Sequence, residues 1–251
     1  MTIELQIQGA GKPVAFLHGT PTRPDVLGEF AQVIARTHTA IQVAFPGYGA
    51  SDPLPDGWTY ADLHDAIENA LIARGFSDLS LIGFSGGGYH ALALASRRRV
   101  SVRSVVAVGG FANLTDAERE RYRATADAIE SGADLLDAFH ATLFGSAWRD
   151  RPGMREVTRA CIAAASPKYL VSEVRQLATA EDLLPKLKTL DIPIIARHGT
   201  ADQTISFSKS EEIAAAAPYT SLERVENAGH MLLLEDFEGT LTSMRRALQN
   251  A

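Results

Sequence analysis

The sequence predicts an α/β chain built on a doubly wound, mostly parallel sheet. Four short apolar runs, at 13–17, 79–84, 102–108 and 192–196, lack the alternation of a half-exposed strand. That is the pattern of strands covered on both faces. Between them lie stretches with helical spacing, such as the stripe Tyr60, Leu63, Ile67, Leu71 and Ile72 and the cluster at 213–217. Strand and helix in alternation argue for a parallel sheet with helical crossovers. The third observation is size: 251 residues at 46% hydrophobic content can fill a core without disulfides or metal, which suits a single α/β domain over 1–251.

In chain order, residues 1–8 alternate apolar and polar as a half-buried strand does. Two less apolar strands are expected at 40–45 and 221–225, and a helix over 88–96. The alternation breaks after Phe111. From 112 to 188 only helical segments are legible, at 116–130, 134–143, 155–165 and 167–178, before a strand returns at 192. The expectation is a core of 1–111 and 189–251 with a helical lid, 112–188, inserted between two sheet strands.

Charge narrows the function classes. A formal net charge of −6 gives no basic field to hold nucleic acid or an anionic membrane surface. No run approaches the ~18 apolar residues of a membrane span, and the start lacks the basic segment and apolar run of a secretory signal. A cytoplasmic protein is expected, with neither nucleic acid nor membrane as partner. The one cysteine, Cys161, sits in a helical run and reads as a packing residue.

The chemistry gathers around Gly83-Phe84-Ser85-Gly86-Gly87, which follows an apolar strand and opens a helix. So sharp a strand-to-helix turn strains the serine, and glycines two before and two after it relieve the crowding. The helix N-terminus beyond adds free N–H groups suited to an anionic intermediate. A serine hydroxyl needs a base. Of seven histidines, His38, His64, His90 and His140 lie in or beside helices, whereas His230 follows Asn227-Ala228-Gly229 after the last strand, at the sheet's carboxyl edge where catalytic groups collect. The acid that fixes its tautomer is read as Asp202, in His198-Gly199-Thr200-Ala201-Asp202, with Glu226 as the rival. Two backbone donors complete the set, the N–H of Gly86 and that of Thr20 in the loop after strand 13–17. His18 is expected to brace that loop by hydrogen bonding.

The segments HGTP at 18–21, PGYGASD at 46–52, GFSGGG at 83–88, HGTAD at 198–202 and NAGHMLLLE at 227–235 resemble, in content and order, the α/β-hydrolase superfamily. The resemblance implies the α/β-hydrolase fold, with the lid after the sixth family strand, and the catalytic set Ser85, Asp202 and His230. It also implies an oxyanion hole at Thr20 and Gly86, with no metal and no cofactor. Aspartate-nucleophile relatives, the epoxide hydrolases and haloalkane dehalogenases, are disfavoured by Ser85 and by Gly86 in place of a halide-binding tryptophan.

The expected partner is a small or medium neutral carboxylic ester, or a lactone, hydrolysed through an acyl-Ser85 intermediate. Phe111, Phe139, Trp148, Tyr169 and Met231 are the candidates for the substrate pocket. Three other readings stay open: a cofactor-free perhydrolase, which Pro21 modestly favours; a C–C bond hydrolase; and, in a different class, a small-molecule receptor that does not turn over.

Overall fold

The computed structural model describes residues 2–53 and 55–249. Its strands are β1 (Leu5–Gln8), β2 (Pro13–Leu17), β3 (Thr39–Val43), β4 (Asp78–Phe84), β5 (Ser101–Val108), β6 (Ile194–Gly199) and β7 (Thr220–Val225). They form one seven-stranded sheet in the order β1-β3-β2-β4-β5-β6-β7. Only the β1–β3 pairing is antiparallel; every other neighbouring pair is parallel. The order reverses between β2 and β4, and loops from both sides of such a switch point open onto one crevice.

Helices α1 (Gly28–Ile34) and α12 (Phe237–Gln249) pack on one face of the sheet, and α2 (Tyr60–Ala73), α3 (Gly86–Arg97) and α10 (Ser208–Ala216) on the other. The central strands are buried along almost their whole length, which is why their sequences read as unbroken apolar runs. Helix α2 starts at a capping box in which Thr59 and Asp62 satisfy each other's backbone N–H. It buries Tyr60, Leu63, Ile67 and Leu71, but Ile72 from the expected stripe is 41% exposed, because it lies one position, roughly 100°, around the helix from Leu71.

Between β5 and β6 the chain makes six helices and no strand: α4 (Asp116–Glu130), α5 (Leu136–Leu143), α6 (Ser146–Arg149), α7 (Met154–Ile162), α8 (Pro167–Leu177) and α9 (Leu184–Leu187). Helix α4 also begins at a capping box, Thr115 with Glu118, and α8 at Ser166 with Pro167 in its first turn. A small cluster of Ala126, Leu170, Val171 and Val174 joins α4 to α8. The last helices are the short α11 (Leu232–Glu235) and α12. Strand β6 begins two residues later than the apolar run suggests and continues through Arg197 and His198. Arg197 is buried there against Glu223 and Asp236, and His198 against Ser210, so polar residues extend the strand without stranding a polar group. Among the described residues, no helix is long and apolar enough to cross a membrane.

Candidate active site at the carboxyl edge of the sheet

Ser85 stands between the end of β4 and the first residue of α3, with φ 56° and ψ −123°. For a residue with a Cβ that backbone is strained, and its surroundings enforce it. A Cβ on Gly83 would collide with the carbonyl of Gly87, and one on Gly87 with the carbonyl of Leu17. The two glycines are thus required by close approach of backbone to backbone, while the positive φ falls on the serine. The Ser85 N–H is tied to the Val108 carbonyl at 2.8 Å, which pins the turn to β5.

Three side chains from three loops meet here. Ser85 Oγ lies 2.9 Å from His230 Nε2, and His230 Nδ1 lies 2.7 Å from Asp202 Oδ2. In a neutral imidazole facing a carboxylate, Nδ1 carries the proton, so Nε2 is left to accept from the Ser85 hydroxyl. The Asp202 carboxylate is held on all sides. Its Oδ1 accepts from the N–H of Thr204 (2.8 Å) and of Ile205 (2.9 Å), and its Oδ2 also faces His198 Nε2 at 3.1 Å. His198 Nε2 lies 2.9 Å from the Ile205 carbonyl as well; with two acceptors around it this nitrogen is the protonated one, and Nδ1 accepts from Ser210 at 2.7 Å. Burial alone would raise the Asp202 pKa, but the facing His230 and the bonds from His198 and His230 outweigh it and hold the carboxyl below its ordinary range. Asp202 is therefore an anion at neutral pH. Glu226, the rival acid, is exposed and bonded to Thr200 and Arg224. The His230 loop is anchored from the insertion, where the Leu143 carbonyl accepts from the N–H of both His230 and Met231.

Above Ser85 lies the loop after β2. Gly19 packs so closely that a Cβ there would come within 2.9 Å of Ser85 Cβ. A Cβ on Gly86 would sit 3.4 Å from Thr20 Oγ1 and 3.8 Å from Thr20 N, so the two backbone amides flank the same corner. The N–H of Gly86, as the first residue of α3, has no acceptor within its own helix. The loop is braced by Thr22, whose hydroxyl and N–H both bond the Gly19 carbonyl. His18 adds a second brace, accepting the Phe45 N–H at its Nε2 (3.1 Å) and facing the Gly19 carbonyl at Nδ1 (3.1 Å). Burial lowers the His18 pKa to about 4, so the ring is neutral and suited to that pair of bonds.

The serine opens into a cavity of about 260 Å³. Its wall includes Phe111 and Phe139 as the sequence suggests, with Pro21, Leu135, Val174 and Ile205. The other three pocket candidates lie elsewhere. Tyr169 spends its ring on Tyr48 and Trp58. Trp148 packs under the Arg151 guanidinium, 4.0 Å from the ring centroid. Met231, 2% exposed, belongs to the core on the α1–α12 face and lines a separate groove beside Cys161 and Phe237. In its place the insertion contributes Arg121, Tyr122 and Thr125 from α4. Arg121 donates to the Thr204 carbonyl at 3.2 Å, and no local sequence signal separates it from its neighbours Arg119 and Arg123. Cys161 is half-buried and its thiol is pushed up to about 11 by burial, consistent with a packing residue. Among the described residues no group of side chains is arranged to hold a metal ion.

An esterase from Thermogutta terrifontis, solved with malate bound, superposes with a TM-score of 0.88 at 22% identity, covering 98% of this chain and 93% of that one. The 2-hydroxymuconate semialdehyde hydrolase of Pseudomonas putida is 28% identical over 250 residues, 93% of this chain and 86% of its own. The non-heme chloroperoxidase CPO-A1 of Kitasatospora aureofaciens is 25% identical over 240 residues, 88% and 86% of the two chains. The profile of the Alpha/beta hydrolase family matches residues 14–241, and this chain belongs to that family.

Proposed function

We propose that the protein is a serine hydrolase acting on small or medium neutral carboxylic esters, lactones included, through an acyl-Ser85 intermediate. One observation carries the reading: the unbroken chain of hydrogen bonds from Ser85 Oγ through His230 to a buried, ionised Asp202, open to a cavity on the serine side. As Oγ attacks the ester carbonyl, its proton passes to His230 Nε2, and Asp202 stabilises the imidazolium that forms. The carbonyl oxygen becomes an oxyanion received by the N–H groups of Thr20 and Gly86. Collapse of this intermediate breaks the C–O bond, and His230 returns its proton to the departing alcohol. Water, deprotonated by the same histidine, then releases the acid and restores Ser85.

The wall supports the substrate class. A volume of about 260 Å³ falls below the ~300–1,000 Å³ of sites for drug-sized ligands, which favours short acyl groups. Phe111, Leu135, Phe139, Val174 and Ile205 offer apolar surface, and the cation at the wall, Arg121, is engaged with a backbone carbonyl. In this reading the helices of 112–188 are a lid, since α4, α5 and α8 supply much of that wall. Pro21, beside Thr20 in the cavity, supports a second reading in which peroxide replaces water and a peracid leaves. Turnover of p-nitrophenyl butyrate, lost in Ser85→Ala, tests the first reading, and peroxide-dependent oxidation of bromide in acetate tests the second. Covalent labelling without turnover would instead describe a receptor.

A further inference from the structure

Helix α8 sends one carboxylate into the site's own scaffold. Glu173 is 5% exposed, and both of its oxygens are used. Oε1 accepts from the Thr20 hydroxyl at 2.7 Å and Oε2 from the Tyr48 hydroxyl at 2.5 Å. Thr20 and Glu173 are 153 residues apart, so only docking of the insertion brings them together. That docking is fixed independently: Trp58 Nε1 donates to Ser172 Oγ at 2.8 Å, and the Tyr169 ring stacks on Trp58 and meets the edge of Tyr48. The Tyr169 ring also lies where a Cβ on Gly47 would come within 2.8 Å of it. Glu173 is therefore held by its helix, and Thr20 is held by Glu173.

We propose that Glu173 is a positioning residue for the oxyanion corner: by accepting from the Thr20 hydroxyl it fixes the rotation of Thr20 and keeps its backbone N–H aimed with that of Gly86. The inference rests on the serine-hydrolase reading above. The rest of the loop is braced at His18, Gly19 and Thr22, but Thr20 stands between those braces and its side chain reaches across to α8. A carboxylate is a costly residue for this task. Burial raises the Glu173 pKa to about 7 against the opposing bonds from Tyr48 and Thr20, and an apolar residue would pack at lower cost. A group that weakens the fold while holding a reactive corner in place is what a stability–activity trade-off leaves behind. The geometry also ties lid to chemistry, because an insertion displaced at α8 releases Thr20.

The test is a double-mutant cycle with p-nitrophenyl butyrate, using Glu173→Ala, Thr20→Val and the pair, each checked for a native circular dichroism spectrum. Misaiming one donor without deleting it is expected to lower kcat by about tenfold, less than the ~10²–10³ of removing a donor outright, with KM changed less than about twofold. The double variant should be no slower than the slower single, because both remove the same bond. Affinity for butylboronic acid, which binds serine as a tetrahedral anion, should fall in parallel with kcat. Additive losses approaching a hundredfold, an effect confined to KM, or unchanged kcat in Glu173→Ala would overturn the proposal. If Glu173→Ala fails to fold, Thr20→Val alone decides: its backbone N–H is intact, so unchanged kcat and boronate affinity refute the role of the bond. Ser85→Ala separates the two layers of argument, since activity surviving there removes the serine-hydrolase reading itself.

Discussion

The edge of the sheet and the helical insertion use sequence in different ways. At the edge, backbone geometry dictates residue type: Gly83 and Gly87 are glycines because carbonyl oxygens occupy the space of a Cβ, and Ser85 takes a positive φ between them. Those demands are local, so they leave a local motif. In the insertion α4 and α8 are equally well marked, by a capping box at Thr115 and by Ser166 before Pro167. Which side chain faces the cavity is decided instead by how α4, α5 and α8 rotate against the sheet, and rotation leaves no motif.

The largest test of this contrast falls on the edge. Asp202→Asn keeps the shape of the site but replaces an acceptor with a donor opposite His230 Nδ1, so turnover is expected to fall by about 10⁴-fold. Glu226→Gln, at an exposed ion pair with Arg224, should change it by less than about twofold. Steady-state kinetics with one ester decides the ranking; the reverse order would move the acid to Glu226 and break the reading of the edge.

The insertion is tested by acyl length. Each buried methylene contributes ~0.8 kcal/mol, roughly fourfold in kcat/KM, until the cavity fills. A series of neutral p-nitrophenyl esters should therefore show an optimum at short to medium length, and Phe139→Ala should move it to longer chains. An optimum at long chains in the unmodified protein would mean that α5 does not form the wall.

An effect read in stability, not in rate, links the two regions through Glu173. Its pKa of about 7 in the folded protein stands above the ordinary 4.5, so the stability it contributes is full below that lower value and fades as pH rises through 7. The tyrosines that feel its charge do not titrate in that window, because burial raises the Tyr48, Tyr60 and Tyr169 hydroxyls, and His18, which packs on Tyr48, is lowered by burial. Between about pH 5 and pH 8 the protein should lose on the order of 3 kcal/mol relative to Glu173→Gln, which stays neutral. Melting curves of the two proteins across that range check the sign; parallel curves would contradict it. A small effect on rate is expected at Arg121, whose truncation to alanine should alter kcat/KM for neutral esters by less than about threefold. Assays of neutral esters against dicarboxylate monoesters of equal length, in both proteins, would show whether this arginine instead selects an anionic substrate.

Much of the fold was legible in the sequence because parallel strands buried on both faces cannot hide their composition; 13–17 coincides with β2, and 116–130 with α4. The short helices α6 and α9 were not, being four residues each and lacking any period to read. Ser85, Asp202 and His230, whose side chains meet in the structure, stand out in the sequence because each follows a strand at one edge. Trp148, Tyr169 and Met231 were misplaced because an aromatic or apolar side chain on a helix fits core and cavity equally well until packing chooses. Glu173 was invisible for a related reason: nothing in Ser172-Glu173-Val174 marks a carboxylate whose partners are Thr20 and Tyr48.

Whether Ser85 is the nucleophile is decided by reaction with a fluorophosphonate. Attack by Oγ on phosphorus expels fluoride and leaves one stable adduct, which mass spectrometry of the digested protein locates. A single adduct is expected, on the peptide bearing Ser85. Ser85→Ala should take no adduct and lose esterase turnover by about 10⁴-fold or more. An adduct on another residue, or labelling and turnover that persist in Ser85→Ala, would contradict Ser85 as the nucleophile.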